Sequence, residues 1–177
     1  MENQEKKFSK IYDSYVNKVF RFIFLKVATK EIAQDLTSQV FTKVWNKMRS
    51  DQTNQINRTN RTTNIKNWPA YIYQIARNEI VDHYREKTKF QIISTEAIEI
   101  SSQEPDIEQK QDELSAIKDI KQAISGLDDE CQNIIIFRYV DNMPFKEIAE
   151  ITGKPEVTVR VIAHRAIKEL REILKKV

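Results

Sequence analysis

The chain is short of everything that builds a turn-rich or cross-linked protein. It has two glycines and four prolines in 177 residues, too few for the many tight turns of a β-sandwich or barrel. Its one cysteine, Cys131, excludes an internal disulfide and reads as a small core residue. Long apolar runs are missing too. The longest aliphatic or aromatic stretches, Phe22 to Leu25 and Ile134 to Phe137, fall far short of the ~20 residues a membrane-spanning helix needs. No apolar stretch follows the charged N-terminus as a secretion signal would, so a cytoplasmic location without membrane insertion is expected. Metal-ligand spacing and a phosphate-binding glycine loop are both absent. Asp82 and His83 are adjacent, and neighbours on a helix do not face each other. The sequence therefore predicts no enzyme, no cofactor and no metal.

What is present is charge and helical periodicity. The formal net charge is only +3, but it is unevenly divided. Residues 1–89 carry 17 Lys and Arg against 9 Asp and Glu, residues 90–113 carry 1 against 7, and residues 114–177 carry 11 against 10. Two parts with basic surface flank an acidic strap, which suggests contact with nucleic acid at both ends.

The last third is the most legible. Leu127 to Val140 reads as one helix and Pro144 to Ile151 as a second. Thr152-Gly153-Lys154 reads as a turn and Pro155 to Lys176 as a long third helix. Both prolines suit a first helical position, and Gly153 suits a left-handed helix stop. At about 100° per residue, Val159, Ile162, Ala163, Ala166, Leu170, Ile173 and Val177 share one face. Val157, Val161, His164 and Lys168 lie opposite, flanked by Arg160 and Arg165. Two helices joined by a glycine-bearing turn, the second with a basic outer face, form a helix-turn-helix pattern suited to duplex DNA. A solvated basic helix in an ordinary bundle would share the charge.

The first part reads as three helices. Phe8 to Leu25 has apolar positions at helical spacing, from Phe8, Ile11 and Tyr12 to Phe22 and Ile23. Lys30 to about Lys47 follows, with Asp35, Ser38, Gln39 and Thr42 off its apolar face. Arg49 to Lys66 has no helical period, is rich in Asn, Thr and Gln, and reads as a long loop. Trp68-Pro69 opens a helix to about Lys87. Its inner residues include Ile72, Ile75, Ala76 and Ile80, and Gln74, Arg77, Asn78, Val81 and Arg85 share a polar face. Trp68, Tyr71, Tyr73 and Tyr84 are spread around it. Aromatics among Arg, Asn and Gln can stack on unpaired bases, and they can equally be core. Phe90 to Glu113 reads as a linker, and Leu114 to Ile124 as a further helix stopped by Ser125-Gly126. The fold class expected is all-α, with two small helical domains joined by a flexible acidic linker.

Three stretches resemble one family. Ala33-Gln34-Asp35-Leu36-Thr37-Ser38-Gln39-Val40-Phe41-Thr42-Lys43-Val44-Trp45 is similar to A-E-D-L-T-Q-E-V-F-x-K-V-W. Trp68 to Asn78, followed by Asp82-His83-Tyr84-Arg85, is similar to W-L-x-x-I-A-R-N…D-x-x-R. Thr158-Val159-Arg160 and His164-Arg165-Ala166 resemble T-V-K-S-R-L-x-R-A. In this order they resemble bacterial RNA polymerase sigma factors of the sigma-70 family, extracytoplasmic-function (ECF) group, over nearly the whole chain.

The resemblance implies region 2 at residues 1–89, an acidic linker at 90–113 and region 4 at 114–177. It implies binding of core RNA polymerase through Asp35, Ser38 and Gln39. It implies capture of the single-stranded −10 promoter element by Asn64, Lys66, Trp68, Tyr71, Gln74, Arg77, Asn78 and Arg85. It implies reading of the duplex −35 element by Thr158, Arg160, Val161, His164, Arg165 and Lys168. The loop before Trp68 would hold a flipped base, and the linker would occupy the RNA exit path. An anti-sigma factor is the implied regulator, and a monomer is expected when the chain is free. Departures stand out. Ser38-Gln39 replaces Gln-Glu, removing one negative charge. Pro155 and Val157 stand where Ser and Gly are frequent, and Val161-Ile162 where Ser-Arg is common. The alternatives are a stand-alone helix-turn-helix regulator of duplex DNA and an inactive sigma-like interaction protein.

Overall fold

The computed structural model describes residues 2–56, 65–93 and 111–175, with side chains described for most of these. The described residues form seven α-helices: α1 (Glu2–Phe24), α2 (Lys30–Ile56), α3 (Trp68–Ile93), α4 (Gln111–Ser125), α5 (Asp129–Ile135), α6 (Phe145–Thr152) and α7 (Glu156–Leu174). A π-helical turn, Ile136–Val140, continues α5. The Asn/Thr-rich loop at 57–64, Asn64 included, and most of the acidic linker, 94–110, lie outside the described residues.

Several element ends differ from the sequence expectation. Helix α1 starts at Glu2 rather than Phe8. The first part of the expected loop, through Ile56, is the end of α2. Helix α3 runs to Ile93, and α4 already begins at Gln111. Mostly polar residues extend α1, α2 and α4 beyond their buried segments, and an apolar period cannot report such an extension, whereas α3 continues through Phe90, Ile92 and Ile93. Pro144 and Pro155 sit one position before their helices, in extended conformation, rather than inside them.

Helices α1 and α2 pair antiparallel. Phe8 meets Trp45 at 5.0 Å between ring centroids, and Tyr12 meets Phe41 at 4.9 Å. Thr29 caps α2 by accepting from the Ile32 N–H at 3.4 Å. Helix α3 closes this bundle with Ile72, Tyr73, Ile75, Ala76 and Ile80 buried. On its outer side the buried Glu79 pairs with Lys43 of α2. In the C-terminal half, α7 lays Val159, Ile162, Ala163 and Ala166 against α4, α5 and α6. That is the face its periodicity assigned. Asp128 caps α5 by accepting from the Cys131 N–H at 2.7 Å, and this N–H holds the Asp128 carboxyl below its usual pKa. Cys131 is buried, as expected.

Gly153 ends α6 in the left-handed region, with φ of 68°, and the Lys154 N–H returns to the Ala149 carbonyl at 3.2 Å. A Cβ there would meet nothing within 4 Å, so the cost of Gly153→Ala is conformational alone. It should lower stability by about 1–2 kcal/mol, read as a loss in the urea midpoint with an unchanged slope.

The two halves are packed on one another. Phe137, on the π-helical turn, stacks on Phe22 of α1 at 5.3 Å and 13°, and meets Tyr73 of α3 edge-on at 4.6 Å. Around this aromatic joint, Arg21 pairs with Asp141 at 2.5 Å and Lys26 with Asp129 at 2.6 Å. The Tyr15 hydroxyl donates to Glu147 at 3.3 Å. Lys121 of α4 donates to the Val27 carbonyl at 3.0 Å and lies 3.7 Å over the Phe24 ring. Burial lowers the Lys26 pKa against the opposing pull of Asp129. Burial and Glu147 push Tyr15 up to about 12.

Candidate nucleic-acid interface

The outer face of α7 is open. Val157, Thr158, Arg160, Val161, His164, Arg165 and Lys168 are all exposed. Ile162 is buried, so the residue standing in a position where the resembling family often has Arg is core. The two arginines are not free. Arg160 donates to Glu156 at 2.5 Å, and its guanidinium lies 4.7 Å from the centre of the Phe145 ring. Arg165 donates to Asp128 at 3.2 Å and to the Cys131 sulfur at 3.3 Å. The Glu156–Arg160 pair is readable as an i,i+4 spacing. The Asp128–Arg165 pair spans 37 residues and leaves no sequence signal.

The second set lies on α3. Lys66, Gln74, Asn78 and Arg85 are exposed, and Arg77 is half-buried. Arg85 pairs with Asp82 at 3.6 Å. Tyr73 is fully buried between Phe22 and Phe137 and belongs to the core. Trp68 and Tyr71 are half-buried against the core and meet edge-on at 5.9 Å. The Trp68 indole N–H points inward and is buried, and Lys7 sits 5.6 Å over its ring. Trp68→Ala should therefore cost stability, roughly half of the ~3–5 kcal/mol of a fully buried aromatic, seen as a lower melting temperature before any binding defect is measured.

Asn67, unremarked in the sequence, joins the two sets. Its side-chain oxygen accepts from the Ala70 N–H at 2.9 Å and caps α3, while its amide donates to the Glu150 carbonyl of α6 at 3.0 Å. The start of α3 thus lies directly against the helix-turn-helix.

A third surface is on α2. Asp35, Ser38 and Gln39 are exposed together on one side. Beside them runs a groove lined by Phe8, Tyr12, Phe41 and Trp45, with Ser38 and Thr42 at its rim. No cluster of three potential metal ligands occurs among the described residues, and none of the described helices is long and apolar enough to cross a membrane.

Residues 117–170, spanning most of α4 to α7, match the family model described as sigma-70, region 4. The chain is similar to the ECF RNA polymerase sigma factor BldN of Streptomyces coelicolor, with 24% identity over 168 residues. That match covers 94% of this chain and 60% of the relative. It is 26% identical over 168 residues to the RNA polymerase sigma factor YlaC of Bacillus subtilis, covering 94% of this chain and 91% of that one. Among solved structures, the fold resembles the sigma factor RpoE of Bartonella quintana, crystallised with the anti-sigma factor NepR. The TM-score is 0.60 at 22% identity, over 96% of this chain and 98% of that one.

Proposed function

Because the chain belongs to the sigma-70 family, in its ECF group, we propose that it binds core RNA polymerase and directs promoter-specific initiation of transcription. Residues 1–89 act as region 2, 90–113 as the linker and 114–177 as region 4. The observation that carries this reading is the pairing of two exposed reading faces, the polar face of α3 and the outer side of α7, in one chain with a third exposed polar surface on α2. A regulator that binds only duplex DNA has no use for the α3 and α2 faces. The protein has no chemistry of its own and works in the cytoplasm with the polymerase that makes the RNA.

Asp35, Ser38 and Gln39 form the proposed polymerase contact. With one acidic group in this trio, the adjoining groove of Phe8, Tyr12, Phe41 and Trp45 supplies apolar contact in place of charge. Lys66, Gln74, Arg77, Asn78 and Arg85 hold the backbone of the opened −10 strand. Asn64 belongs to the same set by sequence. The half-buried Trp68 and Tyr71 are the aromatics at the start of α3 that would meet extruded bases, and stacking returns about 1–3 kcal/mol per base against the unstacking cost of each extruded one. Thr158, Val161 and His164 face the −35 duplex, flanked by Arg160, Arg165 and Lys168. The free chain is a monomer. An anti-sigma factor is its proposed regulator, supported by the resemblance of the fold to a sigma factor crystallised with one.

The packed arrangement has to open for this work. The −10 and −35 elements lie about 25 base pairs apart by name, or about 85 Å at 3.4 Å per step. A compact chain of this length is about 40 Å across, and Asn67 touches Glu150. The halves separate when both elements are held, and core polymerase supplies the binding energy.

Affinity for sigma-free core polymerase tests the α2 assignment. Asp35→Ala with Gln39→Ala should weaken it about tenfold or more, while the melting temperature stays put because both side chains are exposed. Unchanged affinity would remove α2 from the interface.

A further inference from the structure

The solvent face of α7 carries an apolar ridge where a base reader is most often cationic. Val157 is 73% exposed and Val161 64% exposed, among the most exposed large hydrophobic side chains described. They stand one turn apart, in the N-terminal half of the helix that reaches base edges in helix-turn-helix proteins. Thr158 beside them adds a further methyl. Meanwhile the nearby guanidinium groups are engaged. Arg160 is clasped by Glu156 over the Phe145 ring, and Arg165 by Asp128 and the Cys131 sulfur. A guanidinium reads guanine with two free parallel N–H groups, and each of these two already commits its Nη2 to a carboxylate. From their present positions they suit the phosphates on either side of a groove.

The major groove presents one apolar group, the C5-methyl of thymine. Side chains at i and i+4 lie about 6 Å apart, close to two base-pair steps of 3.4 Å. We propose that α7 reads its promoter element through thymine methyl groups, with Val157 and Val161 as the reading ridge and Arg160, Arg165 and Lys168 as phosphate flanks. This rests on the sigma-factor reading above. It commits the exposed ridge to duplex DNA rather than to a protein partner, because the groups beside it are basic and the helix-turn-helix places it toward a groove.

The test uses the full chain with core polymerase and a promoter recovered from genomic fragments by run-off transcription. That promoter is rebuilt with 2′-deoxyuridine replacing thymidine in the upstream element only. Uracil keeps the pairing and the O4 acceptor and loses the methyl. Each contacted methyl removed should weaken the wild-type complex roughly fourfold, and two should weaken it about fifteenfold. The doubly substituted Val157→Ala, Val161→Ala protein should bind the thymidine promoter about as weakly as the wild type binds the uridine one, and should be indifferent to the swap. Its melting temperature should be unchanged, because neither side chain is buried.

Three results overturn the inference: a wild-type complex indifferent to the swap, a variant as sensitive as the wild type, or an upstream element without thymine. If the variant instead loses affinity for core polymerase while the swap does nothing, the ridge docks protein. Absence of any specific start would refute the sigma-factor reading itself, and this inference with it.

Discussion

Phe137→Ala should cost about 3–5 kcal/mol of stability, enough to remove a large share of the total in a domain of ordinary stability. Phe137 is 2% exposed. It fills the joint between the halves, stacked on Phe22 and edge-on to Tyr73. Removing the ring leaves a cavity walled by two aromatics from different helices, which cannot both collapse into it. Because the ring belongs to one half and its partners to the other, the loss should be concentrated in their association. Urea unfolding should change from one transition toward two, and limited proteolysis should cut the chain between α3 and α4 faster than in the wild type. Phe137→Leu, which keeps most of the apolar volume, should recover much of the loss. A Phe137→Ala protein as stable as the wild type would contradict the packed joint.

Arg21→Ala should have the next largest effect. The Asp141 side chain is fully buried and Arg21 is its ion-pair partner, at 2.5 Å. Breaking a buried pair by removing one member costs about 3–5 kcal/mol, because the other charge stays behind unpaired. With Arg21 itself 42% exposed, water can reach the site, and a value near 3 kcal/mol, the low end of that range, is expected. Burial already raises the Asp141 pKa, with Arg21 pulling it down, so losing Arg21 should raise it further. A carboxyl with a raised folded-state pKa binds its proton more tightly when folded. Its stabilising contribution is fully present below the unfolded value and is lost as pH rises through the folded one. Arg21→Ala should therefore regain stability on acidification from neutral pH toward about pH 4, relative to the wild type. Adding Asp141→Asn should restore much of the loss at neutral pH and abolish that pH dependence. Equal pH profiles for the wild type and Arg21→Ala would sink this account of the pair.

Which parts of this were legible beforehand follows from the range of each interaction. The burial of Val159, Ile162, Ala163 and Ala166 was readable because all four answer to one local period, and Gly153 was readable because only a left-handed position calls for it there. The end of α2 was not, since Asn, Thr and Gln carry no apolar period and, of the three, Asn and Thr have only middling helix propensity. The mixture of roles on α3 was only half legible. Ile72, Ile75, Ala76 and Ile80 declared themselves, but nothing local distinguishes Tyr73, wholly buried, from Tyr84, which is 42% exposed. What separates them is Phe22 and Phe137, which come from distant parts of the chain. The α7 face was correctly placed in outline. That Arg160 and Arg165 are already engaged depends on Phe145 and Asp128, and the clasp on Arg165 shifts the reading of that face from cation to methyl.

The most direct test of the central claim is reconstituted run-off transcription. Purified chain is added to sigma-free core polymerase with a pool of genomic promoter fragments, and the transcripts are sequenced. The account predicts discrete starts sharing two upstream elements, absent when the chain is omitted. Polymerase binding without specific starts, or duplex binding without polymerase binding, would contradict it.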